Sequence, residues 1–343
     1  MENGKKIAVP FMERALIRNI MPFAGFIFIV ILFAVLTGGQ LFTAGNLKLL
    51  LSQSYVLLIA CVGVFMVMTM GGLDFSQGSM LGVCSVVVCF LSNFNIVLAV
   101  LCGVLTGGII GLVNGFFNVK RKITSFIVTI CNMYLLRGIV AYATTKTPVY
   151  GVSNITGSLT VKLYQKYLQA TAGLYFFCQS VFSYNTMPFN LTFTLLILLA
   201  AFAVFQYTGL GNRLKAIGAG ETAARFAGVR VERTKMLVYM AAGMITGLAA
   251  FINSIKVGSV TSTAGNQLET QIMIALVLGG MPVNGGAKVK FYNIILGALT
   301  YKILTAGLVM LGIEPKTQQL IMGIVFLIMV AVFADRETGM IVK

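Results

Sequence analysis

The sequence contains no histidine and no tryptophan, and charged residues occupy only 10% of its 343 positions. Without histidine, a Ser-His-Asp catalytic triad cannot form, and the most common metal ligand is missing. The six cysteines include no C-x-x-C pair, which argues against a zinc or redox site. No G-x-x-x-x-G-K-[ST] phosphate-binding loop is present either. We therefore predict that the chain is not an enzyme and holds no cofactor and no metal.

Acidic residues are also scarce, since nine Asp and Glu stand against 25 Lys and Arg, which gives a net charge of +16. Such an excess suggests nucleic-acid binding, but the basic residues fall in short clusters between apolar runs. That placement is typical of membrane proteins, whose cytoplasmic loops are rich in Lys and Arg. We therefore expect membrane lipid around the chain and no nucleic-acid partner.

Apolar residues are abundant instead, at 58% of the chain. A lipid bilayer accommodates so much apolar surface, and each span needs about 20 mostly apolar residues. The candidate spans lie at 20–37, 49–70, 76–93, 95–118, 124–143, 190–208, 236–254, 270–283, 291–311 and 317–334. The predicted fold is an all-α integral membrane protein, a polytopic bundle of about ten transmembrane helices. Residues 1–343 are predicted to form a single transmembrane domain.

Two of these stretches are short or broken, near 69–93 and 264–286. Short or interrupted helices in the two halves of a transporter point to a central solute site. The candidates for the translocation pathway or its gate are Asp74, Phe75, Ser76, Asn114, Asn132 and Glu269. An alternative stays open for Asp74 and Ser76, which can instead cap the third span. The two asparagines can instead form hydrogen bonds between helices.

Glycine recurs at every fourth position of the fourth span, at Gly103, Gly107, Gly111 and Gly115. Residues four apart lie on the same face of a helix, so these glycines form a smooth stripe. The stripe predicts close packing against the backbone of another helix.

Residues 209–235 form the longest loop on the predicted cytoplasmic side. Glycines bracket a short helix predicted near 221–227, and Glu221 lies at its start, where a negative charge suits the helix dipole. Gly228 follows, and we predict that it adopts the left-handed conformation that ends a helix. The alanines of this helix have small side chains, so the helix could fit closely into a groove of a cytoplasmic partner.

This loop resembles the coupling-helix segment of permeases of ABC importers in the ribose/branched-chain amino acid family. The family pattern A-x-G-x-N-x-x-A-A-R-x-x-G is matched at Ala216, Gly218, Ala223, Ala224, Arg225 and Gly228. Gly220 stands where the family has Asn. The stretches 69–79, 126–138 and 263–286 resemble further segments of the same family in the same order, and ribose-type sugar permeases are the most similar members.

The resemblance implies that residues 1–343 are a permease domain in the bacterial plasma (inner) membrane. The implied partners are a cytoplasmic ABC ATPase subunit, an extracytoplasmic substrate-binding protein, and a second permease copy or a homologous permease. The residues that it implies for coupling to the ATPase are Gly220, Glu221, Thr222, Ala223, Ala224, Arg225, Phe226, Ala227 and Gly228. It also matches Arg137 to a family position and implies a structural role there.

The predicted function is the import of a small neutral solute, and a monosaccharide such as ribose fits best. Nucleosides and other small polar solutes are open alternatives for the same kind of importer. An ion-coupled secondary transporter is a rival class, although it usually needs more carboxylates in the bundle than this chain supplies. A structural membrane scaffold is a third, which would not require the glycine-bracketed loop.

The distribution of basic residues generates a topology prediction. With the N-terminus inside, most of the 25 Lys and Arg fall on the cytoplasmic side, so both termini and the 209–235 loop are predicted to be cytoplasmic, and 144–189 to be outside. Single-cysteine labelling in a cysteine-free background checks this orientation. We expect a cysteine at position 160 to react with an impermeant reagent applied from outside, and labelling only from the cytoplasm would reverse the topology.

Overall fold

The computed structural model describes residues 11–145, 148–151 and 187–333. Its helices are α1 (Phe11–Leu36), α2 (Ala44–Thr69), α3 (Gln77–Ser92), α4 (Ile96–Lys120), α5 (Ser125–Ala143), α6 (Met187–Tyr207), α7 (Gly209–Ala219), α8 (Glu221–Phe226), α9 (Val231–Val257), α10 (Leu268–Leu278), α11 (Tyr292–Met310) and α12 (Pro315–Phe333). A 3₁₀ turn at Gln40–Phe42 joins α1 to α2, and β1 (Val149–Tyr150) pairs antiparallel with β2 (Ser259–Val260). The predicted all-α polytopic fold is confirmed.

Among the residues that the structure describes, six helices are long and apolar enough to cross a membrane, namely α2, α4, α5, α6, α9 and α11. Shorter apolar helices lie in α1, α3, α10 and α12. Together these correspond one for one to the predicted apolar stretches. On α4 the glycine stripe is buried, whereas Leu105 and Ile109 on another face are 55% and 63% exposed. An apolar outer surface of this kind suits contact with lipid.

The glycine stripe of α4 packs directly against α9, as predicted. A β-carbon at Gly107 would overlap the carbonyl oxygen of Gly243, and one at Gly111 would overlap the carbonyl oxygen of Tyr239. A β-carbon at Gly247 would lie 2.6 Å from the carbonyl oxygen of Gly103. The two backbones are therefore in contact, and only glycine permits this approach.

The helices α2–α5 and α9–α12 repeat one arrangement. In each set a long helix is followed by a non-helical segment and then by a shorter helix, α3 or α10. The packing partners repeat as well, because α4 lies against α9 as α11 lies against α2. Lys256, late in α9, donates a hydrogen bond to the carbonyl oxygen of Ser52, early in α2, at 3.3 Å, whereas Gly63, later in α2, lies against Ala242, earlier in α9. These two helices therefore run antiparallel. The two sets form an inverted repeat, an architecture common among transporters.

Contacts between connecting segments define two ends of the bundle. At the strand end, Val149 of β1 pairs with Val260 of β2. At the other end, which we call the basic end, Lys120 forms an ion pair at 3.1 Å with Glu232 of the 209–235 segment. The predicted topology likewise groups the first pair on one side and the second pair on the other. Most of the predicted outer connection 144–189 lies outside the described residues, and the assignment of the basic end to the cytoplasm stays a prediction.

The interpretation of 209–235 as a loop is wrong for much of the segment. Residues 209–219 form the helix α7, which buries Leu214 and Ile217 against the bundle, and α9 begins at Val231. Apolar side chains three apart share a helix face, which explains this seating. The predicted short helix exists as α8, and Gly228 adopts the predicted left-handed conformation with φ of 82°.

We expect Gly107→Leu or Gly111→Leu to lower the yield of monodisperse protein, because either side chain must force α4 away from α9. Overpacking of this kind typically costs about 1–3 kcal/mol. Size-exclusion chromatography and thermal unfolding of the purified variants measure the effect. Gly323→Leu is the matched control, since a β-carbon there meets no atom within 4 Å. Normal yield and stability in both α4 variants would contradict the assigned packing.

Candidate functional site

The Asp74 carboxylate lies in the non-helical segment between α2 and α3 and is only 1% exposed. Its Oδ1 accepts hydrogen bonds from the Ser76 N–H at 2.9 Å and from the Ser76 hydroxyl at 2.6 Å. Its Oδ2 accepts one from the Gln77 side-chain amide at 2.6 Å. A carboxylate inside an apolar bundle needs such partners, and these tie Asp74 to the first turn of α3.

The capping interpretation of this segment is wrong for both residues, because the N-cap side chain makes no capping hydrogen bond and the one backbone N–H that Asp74 accepts belongs to the N-cap residue itself. Ser76 is the N-cap residue of α3, but its side chain accepts no hydrogen bond from the helix N–H groups. Its hydroxyl is instead turned back to Asp74. Asp74 supplies the acceptor for the N–H of Ser76, so the carboxylate orders the start of α3.

The same hydroxyl continues the polar contacts into two neighbouring helices. The Asn114 amide of α4 donates to the Ser76 hydroxyl at 2.9 Å, and the Asn132 amide of α5 donates to the Asn114 carbonyl oxygen at 2.7 Å. Asp74, Ser76 and Asn114 are buried, whereas Asn132 is partly exposed. We call Asp74, Ser76, Asn114 and Asn132 the Asp74 network. It leads from the core of the bundle to the surface of α5.

Two further residues join this region without having been predicted. The Thr246 hydroxyl of α9 donates a short hydrogen bond to the carbonyl oxygen of the Gln77 side chain. Gln77 therefore links Asp74 to the helix that carries Gly243 and Gly247. Gln77 stands inside the 69–79 motif and was within reach of sequence reasoning, whereas nothing in the sequence distinguishes Thr246 from other threonines in spans.

Phe75 lies beside the network and does not belong to it. Its backbone N–H donates to the Thr129 hydroxyl at 3.2 Å, and its ring packs edge-to-face on Phe126, with centroids 5.5 Å apart. The N–H of Leu73 donates to the Ser125 hydroxyl at 3.1 Å. The side chains of α5 thus satisfy the backbone of the non-helical segment, as a low-dielectric interior requires.

Glu269 forms a second polar cluster at the start of α10. It is 5% exposed, and its Oε1 pairs with Arg137 of α5, whose side chain is 33% exposed. Its Oε2 lies against Gly78 of α3, where a β-carbon would overlap this oxygen and the carbonyl oxygen of Gly265. The N-terminal ends of α3 and α10 therefore converge around one carboxylate, a position that both helix dipoles favour. The pairing with Arg137 was not predicted.

Two atoms of this cluster have no hydrogen-bond partner among the residues that the structure describes. They are Glu269 Oε2 and Arg137 Nε, and both are buried. One is an acceptor and the other is a donor. Buried polar atoms are rarely left unpaired, so this pair suits a ligand group that both donates and accepts.

The coupling residues proposed from sequence lie on or next to α8 at the basic end. Glu221 Oε1 pairs with Arg225 at 3.0 Å, and Glu221 Oε2 pairs with Lys235 of α9 at 2.5 Å. The Lys235 hydrogen bond is the main cause that lowers the pKa of the Glu221 carboxyl below its usual value. These pairs hold the short helix against the start of α9.

The exposure of α8 corrects one part of the docking interpretation. Ala224 is only 2% exposed and faces the bundle, so it cannot present a docking surface. Phe226 is 89% exposed instead. The exposed positions of the segment are Thr222, Ala223, Arg225, Phe226, Ala227 and Gly228. This exposed aromatic ring is the largest apolar anchor that α8 offers.

Comparisons with known proteins agree with this architecture. Residues 46–330 match the family model described as branched-chain amino acid transport system / permease component. The ribose import permease protein RbsC of Escherichia coli (strain K12) is 30% identical over 294 residues, 85% of this chain and 86% of the relative. RbsC of Bacillus subtilis (strain 168) is 30% identical over 318 residues, 92% of each chain.

A more distant relative carries a different sugar in its name. The fructose import permease protein FrcC of Rhizobium meliloti is 27% identical over 308 residues, which cover 88% of this chain and 81% of the relative. No solved structure matches the chain. Since the family model matches most of the sequence, the chain belongs to the branched-chain amino acid transport system permease family, and its relatives there include ribose and fructose import permeases.

Proposed function

We propose that the chain is the membrane-spanning permease subunit of an ABC importer that carries a monosaccharide into the cytoplasm. The observation that carries the proposal is the pair of polar clusters where α3 and α10 converge. The Asp74 network offers amide and hydroxyl groups, and the second cluster offers the unpaired atoms Arg137 Nε and Glu269 Oε2. Sugar hydroxyls donate and accept hydrogen bonds, so they complement both kinds of group.

The names of the relatives support the same solute class, because ribose and fructose are both neutral monosaccharides. Among these, ribose is the sugar that we propose first, since two ribose permeases are 30% identical to the chain. Nucleosides contain a pentose as well and are the alternative that the same groups accommodate. Residues 1–343 act as one permease domain in this proposal.

The buried carboxylates favour this reading over an ion-coupled carrier. Asp74 accepts hydrogen bonds on both oxygens, and Glu269 is paired with an arginine. A carboxylate that takes up and releases H⁺ or Na⁺ during transport needs freedom that these contacts restrict. Uptake of ribose into proteoliposomes should therefore require ATP and persist after an ionophore collapses the ion gradient. Loss of uptake with the gradient would favour the ion-coupled carrier.

In this proposal a separate subunit binds and hydrolyses ATP to drive transport, because the sequence of this chain contains no phosphate-binding loop. The α8 helix supplies a docking element, with Phe226 as its exposed anchor and the Glu221 pairs as its attachment to α9. The partners are a cytoplasmic ABC ATPase, an extracytoplasmic substrate-binding protein and a second permease copy or a homologous permease.

We expect Glu269→Gln to raise the KM for ribose uptake by roughly tenfold, since a hydrogen bond to a charged group contributes about 1.5–3 kcal/mol. The amide preserves the size of the side chain but leaves Arg137 without its counter-ion, so the yield of assembled complex is measured beside uptake. Uptake by reconstituted complexes measures KM and the maximal rate separately. Glu314→Gln is the matched control, since Glu314 is exposed near the start of α12. A lower maximal rate at unchanged KM would show that Glu269 does not contact the solute.

We expect Phe226→Ala to weaken the association with the ATPase, because it removes the exposed anchor of α8 without altering the bundle. A buried aromatic anchor at an interface commonly contributes about 2 kcal/mol or more. Co-purification of the ATPase and its titration against the permease measure the loss. The control is Tyr207→Ala, which removes another exposed aromatic ring, at the end of α6. Equal affinity of Phe226→Ala and the unmutated protein would exclude α8 as the main docking element.

A further inference from the structure

Three stretches of backbone meet at the basic end without any side chain between them. They are Thr69 at the end of α2, Gly218 in α7, and Gly285-Gly286 after α10. The N–H of Gly286 donates to the carbonyl oxygen of Thr69 at 3.1 Å. A β-carbon at Gly218 would overlap that same carbonyl oxygen and would lie 2.7 Å from the nitrogen of Gly286. We call this contact the backbone joint.

The joint depends on glycine for two reasons. Gly285 and Gly286 have φ of 68° and 100°, values that side chains disfavour. A β-carbon at Gly285 would also overlap the carbonyl oxygen of Met68. Contacts between backbones cannot relax by changing rotamer, so a displacement on one side of the joint must appear on the other.

The joint links α7 to both half-length helices. From Thr69 the chain passes through the Asp74 segment into α3. From α10 it passes through residues 279–284 into Gly285. The first turn of α3 and the far end of α10 converge at Gly78 and Glu269, next to the candidate solute groups. A single helix thus touches the chain leading into α3 and the chain leaving α10.

The helix α7 is itself built to act as a rigid body. A β-carbon at Gly211 would overlap the carbonyl oxygen of Phe205, which fixes the start of α7 against α6. Leu214 and Ile217 are 0% and 3% exposed. At its other end α7 continues through Gly220 directly into α8. We therefore expect α7 to carry a displacement of α8 to the backbone joint without bending.

We propose that Thr69, Gly218 and Gly285-Gly286 form a transmission joint that passes displacement of α7 to α3 and α10 together. The inference rests on the proposed function, because it takes α8 as the element on which the ATPase acts. Gly218 is a positioning residue here, since it touches neither solute nor ATPase. Both half-helices then move at their basic ends, and the distance between the Asp74 network and the Arg137–Glu269 pair changes.

The decisive variant is Gly218→Ala in the complex reconstituted with its ATPase and binding protein, with radiolabelled ribose as the probe. We expect ATPase binding and ATP hydrolysis to be retained. Ribose uptake per ATP hydrolysed should fall by roughly tenfold, which lies in the range by which mutations along a coupling route alter coupling. A merely structural role would lower yield, hydrolysis and uptake in parallel, and that outcome would overturn the proposal, as would normal coupling.

The matched control is Gly209→Ala at the other end of α7. A β-carbon there comes no closer than 3.9 Å to any atom, and the nearest one is on the flexible Arg213 side chain. This variant should couple normally. Equal uncoupling by both substitutions would assign the effect to the helix as a whole and would refute the joint.

A second measurement does not depend on how Gly218→Ala folds. Ala219 and Ala287 are exposed neighbours of the joint on its two sides. In a cysteine-free background, Ala219→Cys with Ala287→Cys can be bridged by a short bifunctional thiol reagent. Because the joint moves as one body, the bridged fraction should retain ribose uptake. Loss of uptake that returns on cleavage of the bridge would mean that the joint must open, which contradicts the proposal.

Failure of the proposed function is distinguishable from failure of the joint. The first would appear in the unmutated protein, as uptake that does not require ATP. The second would appear only in the variants, with ATP-dependent uptake by the unmutated complex intact.

Discussion

A backbone polar group inside an apolar bundle is costly unless it finds a partner within the protein, and the segment around Asp74 is organised by that constraint. The non-helical segment before α3 exposes backbone N–H groups and one carboxylate to the interior. Ser125 and Thr129 of α5 satisfy two of these N–H groups, and Asp74 satisfies that of Ser76. Asn114 then donates a hydrogen bond to the Ser76 hydroxyl, and Asn132 donates one to the side-chain carbonyl oxygen of Asn114. The Asp74 network is thus the consequence of interrupting a helix where water is absent.

Backbone contact at glycine makes this satisfaction geometrically feasible. The α4 stripe lets α9 approach until Thr246 reaches Gln77, and Gly78 lets the start of α10 approach α3 until Glu269 reaches Arg137. A β-carbon at either place would overlap atoms of the facing helix or its flanking segment, so a larger residue would force the helices apart. The same kind of contact between backbones occurs at the backbone joint, where it leaves no side chain that could change rotamer. Glycine therefore controls which polar groups meet, and in the proposed joint it also controls how motion reaches them.

The proposed function places docking of the ATPase at the basic end of the bundle and recognition of the solute between its two ends. At the basic end, α8 exposes the ring of Phe226, and α7 is anchored to the core through Leu214, Ile217 and the backbone joint. Between the ends, two half-helices converge on groups that complement hydroxyls. Under the proposed function, the half-helices themselves connect coupling to the ATPase with recognition of the solute.

The sequence by itself determined the membrane-spanning class, the positions of the apolar helices, the break before α3, the packing stripe of α4 and the short helix α8. These features are local, since length, hydropathy and glycine spacing are read within one segment. Only the tertiary structure decided that residues 209–219 form a helix with one buried face, that Ala224 faces inward, and that Arg137 meets Glu269 across 132 positions. Such pairings depend on which helices pack together and at what rotation. Hydropathy does not encode this, because lipid and protein neighbours are equally apolar to a transmembrane helix.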